Sequence, residues 1–377
     1  MSLVIGIDAS RCRSGGAVDH IIGVLSAGNA QSSGIHEVHI WSYKALMDKL
    51  PDFHWLVKHS PPDLEYSLFR QIWWQYHYLP IELNKYNCNL LFSADAGTVC
   101  PYNPMVVLSQ DSLSYEPGIM KRFGITLKRL RLLLLLYIQN RSMRYAEGVI
   151  FLTEYAANLV QKSTGKLKQV ALIPHGIDQA FNRLTCPRVW PKDSIESIRC
   201  IYVSDVAIYK NQWEVVRGLK KLRDRGYNLE LRLVGSSTGS GKRLLNKEIS
   251  KSDPNGLFVK IVGFISHVEL PNLIASSDIF IFASSCETMP ITLLEGMASG
   301  LPIACSNRGP MPEVLGDGGV YFDPENPDSI ALAIENIIIN KSLRSFIARR
   351  AKHLSQQYYW TRCASETWDF LCDIARG

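Results

Sequence analysis

Two glutamates, Glu287 and Glu295, are separated by seven residues in the stretch Ser277 to Arg308, SDIFIFASSCETMPITLLEGMASGLPIACSNR. An ionised carboxylate accepts hydrogen bonds and donates none, so a pair held at one crevice suits the hydroxyls of a sugar, or else serves as a general acid and base. Between them Thr288 can cap a helix whose first position is Pro290, and the unpaired amides of such a helix start attract phosphate. Lys210, in the loop SDVAIYKNQ that follows another apolar run, is placed for a diphosphate. These residue types fit a ligand that carries both sugar hydroxyls and a diphosphate.

The elements that must position them are legible as runs and stops. Asp278 to Ala283 is an apolar run of strand length, Ser299-Gly300 ends the intervening helix, and Pro302 to Cys305 reads as the next buried strand. That β-loop-α-β order puts the Glu287 loop at the carboxyl edge of a parallel sheet, where open α/β sheets bind ligands. Leu3 to Ile7 predicts a first strand, and DASRCRSGG then places Gly15-Gly16 in a loop before a helix over 17–27, where a bare backbone can approach a ligand. Strands over 88–93 and 104–109 end in Ser93-Ala94-Asp95 and Gln110-Asp111. A strand over 259–264 carries Gly263 into a loop whose backbone can read a base edge. No G-x-G-x-x-G follows any strand, and LRLVGSSTGSGKRLL fails as a P-loop because Ser236 stands where the first glycine is needed and Arg243 follows Lys242.

The Glu-x7-Glu pattern, a helix end of small residues and the following Gly-x-Pro strand together resemble the retaining glycosyltransferases of the GT-B fold, family 4. The resemblance implies an α/β protein of two Rossmann-like domains facing across a cleft. These would be an acceptor-binding domain over 1–184, onto which a C-terminal helix (356–377) with Trp360 and Trp368 packs back, and a nucleotide-sugar-binding domain over 197–355. The polar stretch Thr185 to Glu196 would link them. It further implies a donor site of Gly15, Gly16, Lys210, Gly263, Thr288, Met289, Pro290, Ile291 and Glu295. Glu287 would hold the sugar hydroxyls, Lys210 the diphosphate and Glu295 the ribose. IPHGID at 173–178 looks like the family's signature at the end of the first domain, so His175 reads as a backbone-shaping or nucleotide-side residue rather than a base.

The chain departs from the family pattern at two places. Gln110 replaces the histidine expected near the reacting centre, leaving an amide that hydrogen-bonds but neither gives nor takes a proton. Asp205 replaces an arginine five positions before Lys210, so the diphosphate would rely on Lys210, helix amides and Arg243 or Arg308. The implied reaction moves a sugar from a nucleotide diphosphate sugar to a hydroxyl acceptor with retention, with Glu287, Lys210 and Gln110 at the reacting centre and neither cofactor nor metal. A sugar-nucleotide epimerase, or a non-catalytic sugar-nucleotide-binding protein, is the alternative.

Composition sets the context. With 46% hydrophobic and 20% charged residues over 377 positions, the chain is of ordinary globular type. A start of MSLVIGIDAS without a basic region, and the lack of any apolar run of about 18 residues, predict a cytoplasmic protein. Nine cysteines without a C-x-x-C pair predict reduced core thiols. The net charge of +6 resides in one segment, since 117–146 holds seven basic residues and no acid. There Met120, Phe123, Leu127, Leu130 and Leu134 recur on one side of a helix, and Lys121, Arg122, Lys128 and Arg129 on the other. Residues 119–138 therefore predict a basic amphipathic helix that lies on an anionic membrane surface near a lipid-linked acceptor, rather than one that binds nucleic acid. The aromatic stretch Tyr66 to Tyr78 predicts a helix packed in the core.

Overall fold

Short apolar strands alternating with helices can return to the same sheet only by right-handed crossovers, which makes the sheets parallel. The computed structural model describes residues 3–13, 15–182, 189–191 and 196–377. Two compact units divide the chain, Met1–Gly176 with Tyr358–Gly377, and Ile177–Gln357. The linker expected over 185–196 lies largely outside the described residues.

In the first unit, β1 (Leu3–Asp8), β2 (Ile35–Trp41), β3 (Leu56–His59), β4 (Leu90–Ser93), β5 (Met105–Ser109), β6 (Gly148–Phe151) and β7 (Gln169–Leu172) form a sheet in the order β3-β2-β1-β4-β5-β6-β7. In the second, β8 (Ile198–Val203), β9 (Leu229–Val234), β10 (Val259–Gly263), β11 (Ile279–Phe282), β12 (Ile303–Ser306) and β13 (Val320–Phe322) form a sheet in the order β10-β9-β8-β11-β12-β13. All strand pairings are parallel. Strands β4, β5, β6, β11 and β12 are buried along their whole length, as uninterrupted apolar runs require when helices cover both faces. The order of crossovers reverses between β1 and β4 in the first unit and between β8 and β11 in the second. Each reversal is a topological switch point, where a crevice opens beyond the carboxyl ends of the strands.

The C-terminal helix Trp360–Arg376 belongs to the first unit and packs on the helix Gly16–Ala27. Trp360 lies against Gly23 and Gly176, where a methyl group on either glycine would overlap its ring or backbone. Trp368 is buried, edge-on to Trp55 with ring centroids 6.3 Å apart. The eight described cysteines are free and buried.

Two elements differ from expectation. The aromatic stretch is not core: Trp74 is buried, but Phe69 is 75% exposed, and Tyr66, Trp73, Tyr76 and Tyr78 are also exposed. The inward face of helix Leu68–His77 instead presents Gln71 and Gln75. Gln75 donates to the buried Asp8 carboxylate and accepts from Val99 N at 3.1 Å. Buried polar groups must be paired, so these partners turn the helix and leave most of its aromatics outside. The basic segment is likewise not one continuous helix. Gly124, at φ 59, separates a turn at Ile119–Arg122 from a helix over Leu127–Tyr145. Phe123 is buried while Leu127, Leu130 and Leu134 are exposed, because the later helix turns Leu132, Gln139, Ser142 and Met143 inward.

His20 and His175 form a buried pair, Nδ1 to Nδ1 at 3.0 Å, with Trp360 beside both rings. His175 is thus packed among side chains of the first unit. One ring supplies the proton and the other the lone pair, so at most one can carry charge, and burial disfavours that too. Burial pushes His20 down to about 3. Burial, followed by the neighbouring His20, holds His175 well below the ordinary imidazole value. The unfolded chain therefore binds more protons than the folded one between about pH 6.5 and 3. The stabilising effect of keeping these rings neutral is fully present above pH 6.5 and is lost as pH falls below it. Urea midpoints measured from pH 8 to pH 4 should fall with acid, and the double variant His20→Phe/His175→Gln should show a shallower fall; an equal slope would remove the pair from the account.

Candidate functional site

The carboxyl ends of β8 and β11, neighbours across the switch point of the second unit, hold the residues best suited to chemistry. Lys210 comes from the loop after β8 and Glu287 from the loop after β11, and the two form a salt bridge with each side chain only 15% exposed. The loops are locked together beneath it. Asn211, left-handed at φ 53 where asparagine is tolerated, donates from Nδ2 to Ala283 O at 2.8 Å and to Ser285 Oγ at 2.7 Å. Ser285 N donates to Tyr209 O at 2.7 Å, and the Tyr202 hydroxyl donates to Lys210 O at 2.6 Å. The Lys-Asn dipeptide thus anchors the backbone so that the ammonium projects toward Glu287.

The helix after Glu287 runs over Ile291–Ala298, later than expected. Pro290, at φ -83 and ψ 81, is its N-cap rather than its first residue, and no side chain caps it. Thr288, two residues ahead of that cap, is buried and is not the N-cap residue. Pro290 has no N–H, and Ile291 N is engaged by Met289 O at 3.1 Å. Met289 and Pro290 are buried.

Glu295, on the same helix, is 4% exposed, and its Oε1 lies 3.1 Å from Nε2 of His267. His267 stands in the loop after β10, a partner that sequence reading missed. Its signal was its place, a polar residue shortly after a strand that already contributed Gly263. Gly263 adopts φ 82 and its carbonyl accepts from Gly235 N at 2.8 Å. Asp205 accepts from Ser236 N at 2.8 Å, so where an arginine was expected the aspartate braces the loop after β9. Arg308 pairs with Asp323 at 3.3 Å, and Arg243 is exposed on the helix Gly239–Ser252.

The remaining residues lie in the first unit. Gly15, at φ 61, is the N-cap of the helix that Gly16 begins. Gln110 donates from Nε2 to Ala94 O at 3.2 Å, joining the ends of β5 and β4. Across this unit's switch point Arg11 pairs with Asp95 at 3.2 Å and also donates to Gly97 O. Beside them, burial raises Asp8 and Asp111 above the usual carboxylate value.

Two doubly wound parallel sheets, each with an ion pair at its switch point, make up an α/β protein of the GT-B type. Residues 193–354 match the family model of glycosyl transferases group 1. The chain is 31% identical over 110 residues to O-antigen chain mannosyltransferase B of Escherichia coli, covering 29% of this chain and 29% of that protein. It is 28% identical over 172 residues to an uncharacterized glycosyltransferase of Methanocaldococcus jannaschii, covering 44% of this chain and 43% of that one. The aligned regions thus span less than half the length of these curated relatives. Sucrose-phosphate synthase of Thermosynechococcus elongatus superposes with a TM-score of 0.79 at 16% identity over 99% of both chains. HepE of Anabaena, solved with UDP and glucose, gives 0.71 at 16% identity over 98% of this chain and 100% of that one. The fold is GT-B, and the similarity to glycosyl transferases group 1 falls on the second unit and its approach, 193–354.

A charge removed from a shielded pair leaves its partner desolvated and uncompensated. Glu287→Gln should therefore lower stability by about 1–3 kcal/mol in guanidinium unfolding. A change below about 0.5 kcal/mol would mean that Lys210 is as well solvated as a surface lysine.

Proposed function

We propose that the chain is a retaining, metal-independent glycosyltransferase of family 4 that moves a sugar from a nucleoside diphosphate sugar to a hydroxyl acceptor. The observation that carries this reading is the Lys210–Glu287 pair across the β8/β11 switch point. The group 1 match over the same unit supports it, as does a GT-B neighbour solved with UDP and glucose. An ammonium for the diphosphate and a carboxylate for the sugar stand side by side, at the edge where such folds take nucleotides.

Breaking the bond between the anomeric carbon and the diphosphate oxygen builds positive charge on the sugar and negative charge on the leaving group. Lys210 neutralises the departing diphosphate, and Glu287 accepts from the sugar hydroxyls and stabilises the cationic ring. Glu295 accepts from the ribose hydroxyls. The acceptor hydroxyl attacks the face the diphosphate leaves, its oxygen forms the new bond to the anomeric carbon, and its proton passes to the departing phosphate oxygen. The configuration is thereby retained without a covalent carboxylate. Lys210 supplies the positive charge, so no step uses a metal.

The acceptor in this reading is lipid-linked, as in the assembly of a surface polysaccharide, and the enzyme works at the inner face of the cell membrane. No helix among the described residues is long and apolar enough to cross a membrane. The helix Leu127–Tyr145 instead exposes Leu127 (86%), Leu130 (63%) and Leu134, which would enter an anionic interface beside Lys128 and Arg129.

Lys210→Ala and Glu295→Gln should each lower sugar transfer from a labelled nucleotide sugar into a membrane extract by about 100-fold or more, assayed with EDTA present. Wild-type turnover in both variants, or loss of wild-type activity in EDTA, would contradict the mechanism. Tight binding without turnover would favour the non-catalytic binding protein, and free epimer the epimerase. Co-sedimentation with phosphatidylglycerol vesicles should be lost when Lys121, Arg122, Lys128 and Arg129 become Gln, and weakened when Leu127, Leu130 and Leu134 become Ser; unchanged co-sedimentation in both would exclude this surface.

A further inference from the structure

His267 joins three elements of the second unit. Its Nε2 lies 3.1 Å from Glu295 Oε1, and because a carboxylate only accepts, Nε2 carries the proton. Its Nδ1 lies 3.8 Å from Asp178 Oδ2, ion-pair range rather than hydrogen-bond range. Its ring meets Phe181 edge-on at 5.2 Å. Asp178 accepts from Ala180 N at 2.8 Å at the start of the short helix Gln179–Asn182, which itself packs against the Glu295 helix. The loop is fixed by Ser266 Oγ donating to Glu269 Oε2 at 2.7 Å and by Glu269 N donating to Ser266 O at 3.0 Å. The imidazole is 52% exposed, so it exchanges protons with water, whereas Glu295 beneath it is shielded.

We propose that His267 is a positioning residue of the donor site, orienting Glu295 for the ribose diol of a nucleoside diphosphate sugar and, once protonated, tying Asp178 into the same clasp. The inference rests on the donor-site reading given above. A carboxylate has two oxygens and about four acceptor positions, so one bond from His267 fixes its rotamer and leaves capacity for two vicinal hydroxyls. Neutral His267 with its proton on Nε2 donates to Glu295. Protonated His267 has two N–H groups and can also hold Asp178. The charged groups facing it are Glu295 from its helix, Asp178 from the segment ahead of Gln179, and Glu269 on its own loop, engaged by Ser266. The protonated ring can donate to both carboxylates, and its charge also favours an incoming diphosphate. Nucleotide-sugar affinity therefore rises when His267 takes up a proton.

The test is calorimetric titration of the full chain with UDP-glucose and GDP-mannose at pH 6 and pH 8. Both probes carry diphosphates esterified at each end, so the ligand does not titrate in that range. Wild type should bind one of them about three- to tenfold more tightly at pH 6. His267→Gln, whose amide can still donate to Glu295, should stay within about twofold of wild type at pH 8 but lose the pH step. His267→Ala should bind about tenfold more weakly at both pH values, also without the step. Wild-type affinity and pH step in both variants, with Glu295→Gln abolishing binding, would overturn the role of His267 and leave the donor site standing. Failure of wild type to bind either probe, or full binding by Glu295→Gln, would overturn the donor-site reading and this inference with it.

Discussion

The ion pair between Lys210 and Glu287 joins residues 77 positions apart in the chain, on loops that follow two neighbouring strands. A parallel sheet whose crossovers reverse direction at β8/β11 sends the first helices of its two halves to opposite sides, and the loops at the reversal border the opening. Opposite charges meeting there are shielded from water without being lost to the core. In the proposed reading a diphosphate takes the place of Glu287 at the lysine, and hydroxyl donors of the sugar take the place of the ammonium at Glu287. The Asn211 bonds to Ala283 and Ser285 hold the two loops in register.

The first unit repeats the arrangement with other residues. Arg11 and Asp95 pair across the β1/β4 reversal, with Gly15 and Gln110 on the same edge. Its surroundings differ, because the buried Asp8 relies on Gln75 and the helix Gly16–Ala27 is clamped by the C-terminal helix through Trp360 and the His20–His175 pair. The second unit instead puts its buried carboxylate, Glu295, under a half-exposed histidine. Both edges carry an ion pair, and they differ in the groups packed around it.

The strands were legible because a strand buried on both faces must be written as an apolar run, and Glu287, Lys210 and Glu295 because polar residues just past such runs fall at the carboxyl edge. The pairing was not legible, since nothing local says that β8 lies beside β11. His267 was missed for the same reason: its meaning comes from a helix 28 positions away. The aromatic helix misled because hydrophobicity was taken to fix direction, whereas the need to pair Asp8 and Val99 N turned Gln75 inward. Thr288 misled because a proline can stand either inside a helix or at its cap, and ψ at Pro290 decided for the cap. Asp205 looked like a lost charge until Ser236 N showed what it holds.

The most direct measurement of the central claim is a crystal structure of the chain with a nucleoside diphosphate. The account predicts a diphosphate oxygen about 2.7–3.2 Å from Lys210 Nζ at the ends of β8 and β11, the ribose on Glu295, and Lys210 parted from Glu287. A nucleotide seated at the β1/β4 edge instead, or one bound while Lys210 and Glu287 remain paired and out of contact with it, would contradict that claim.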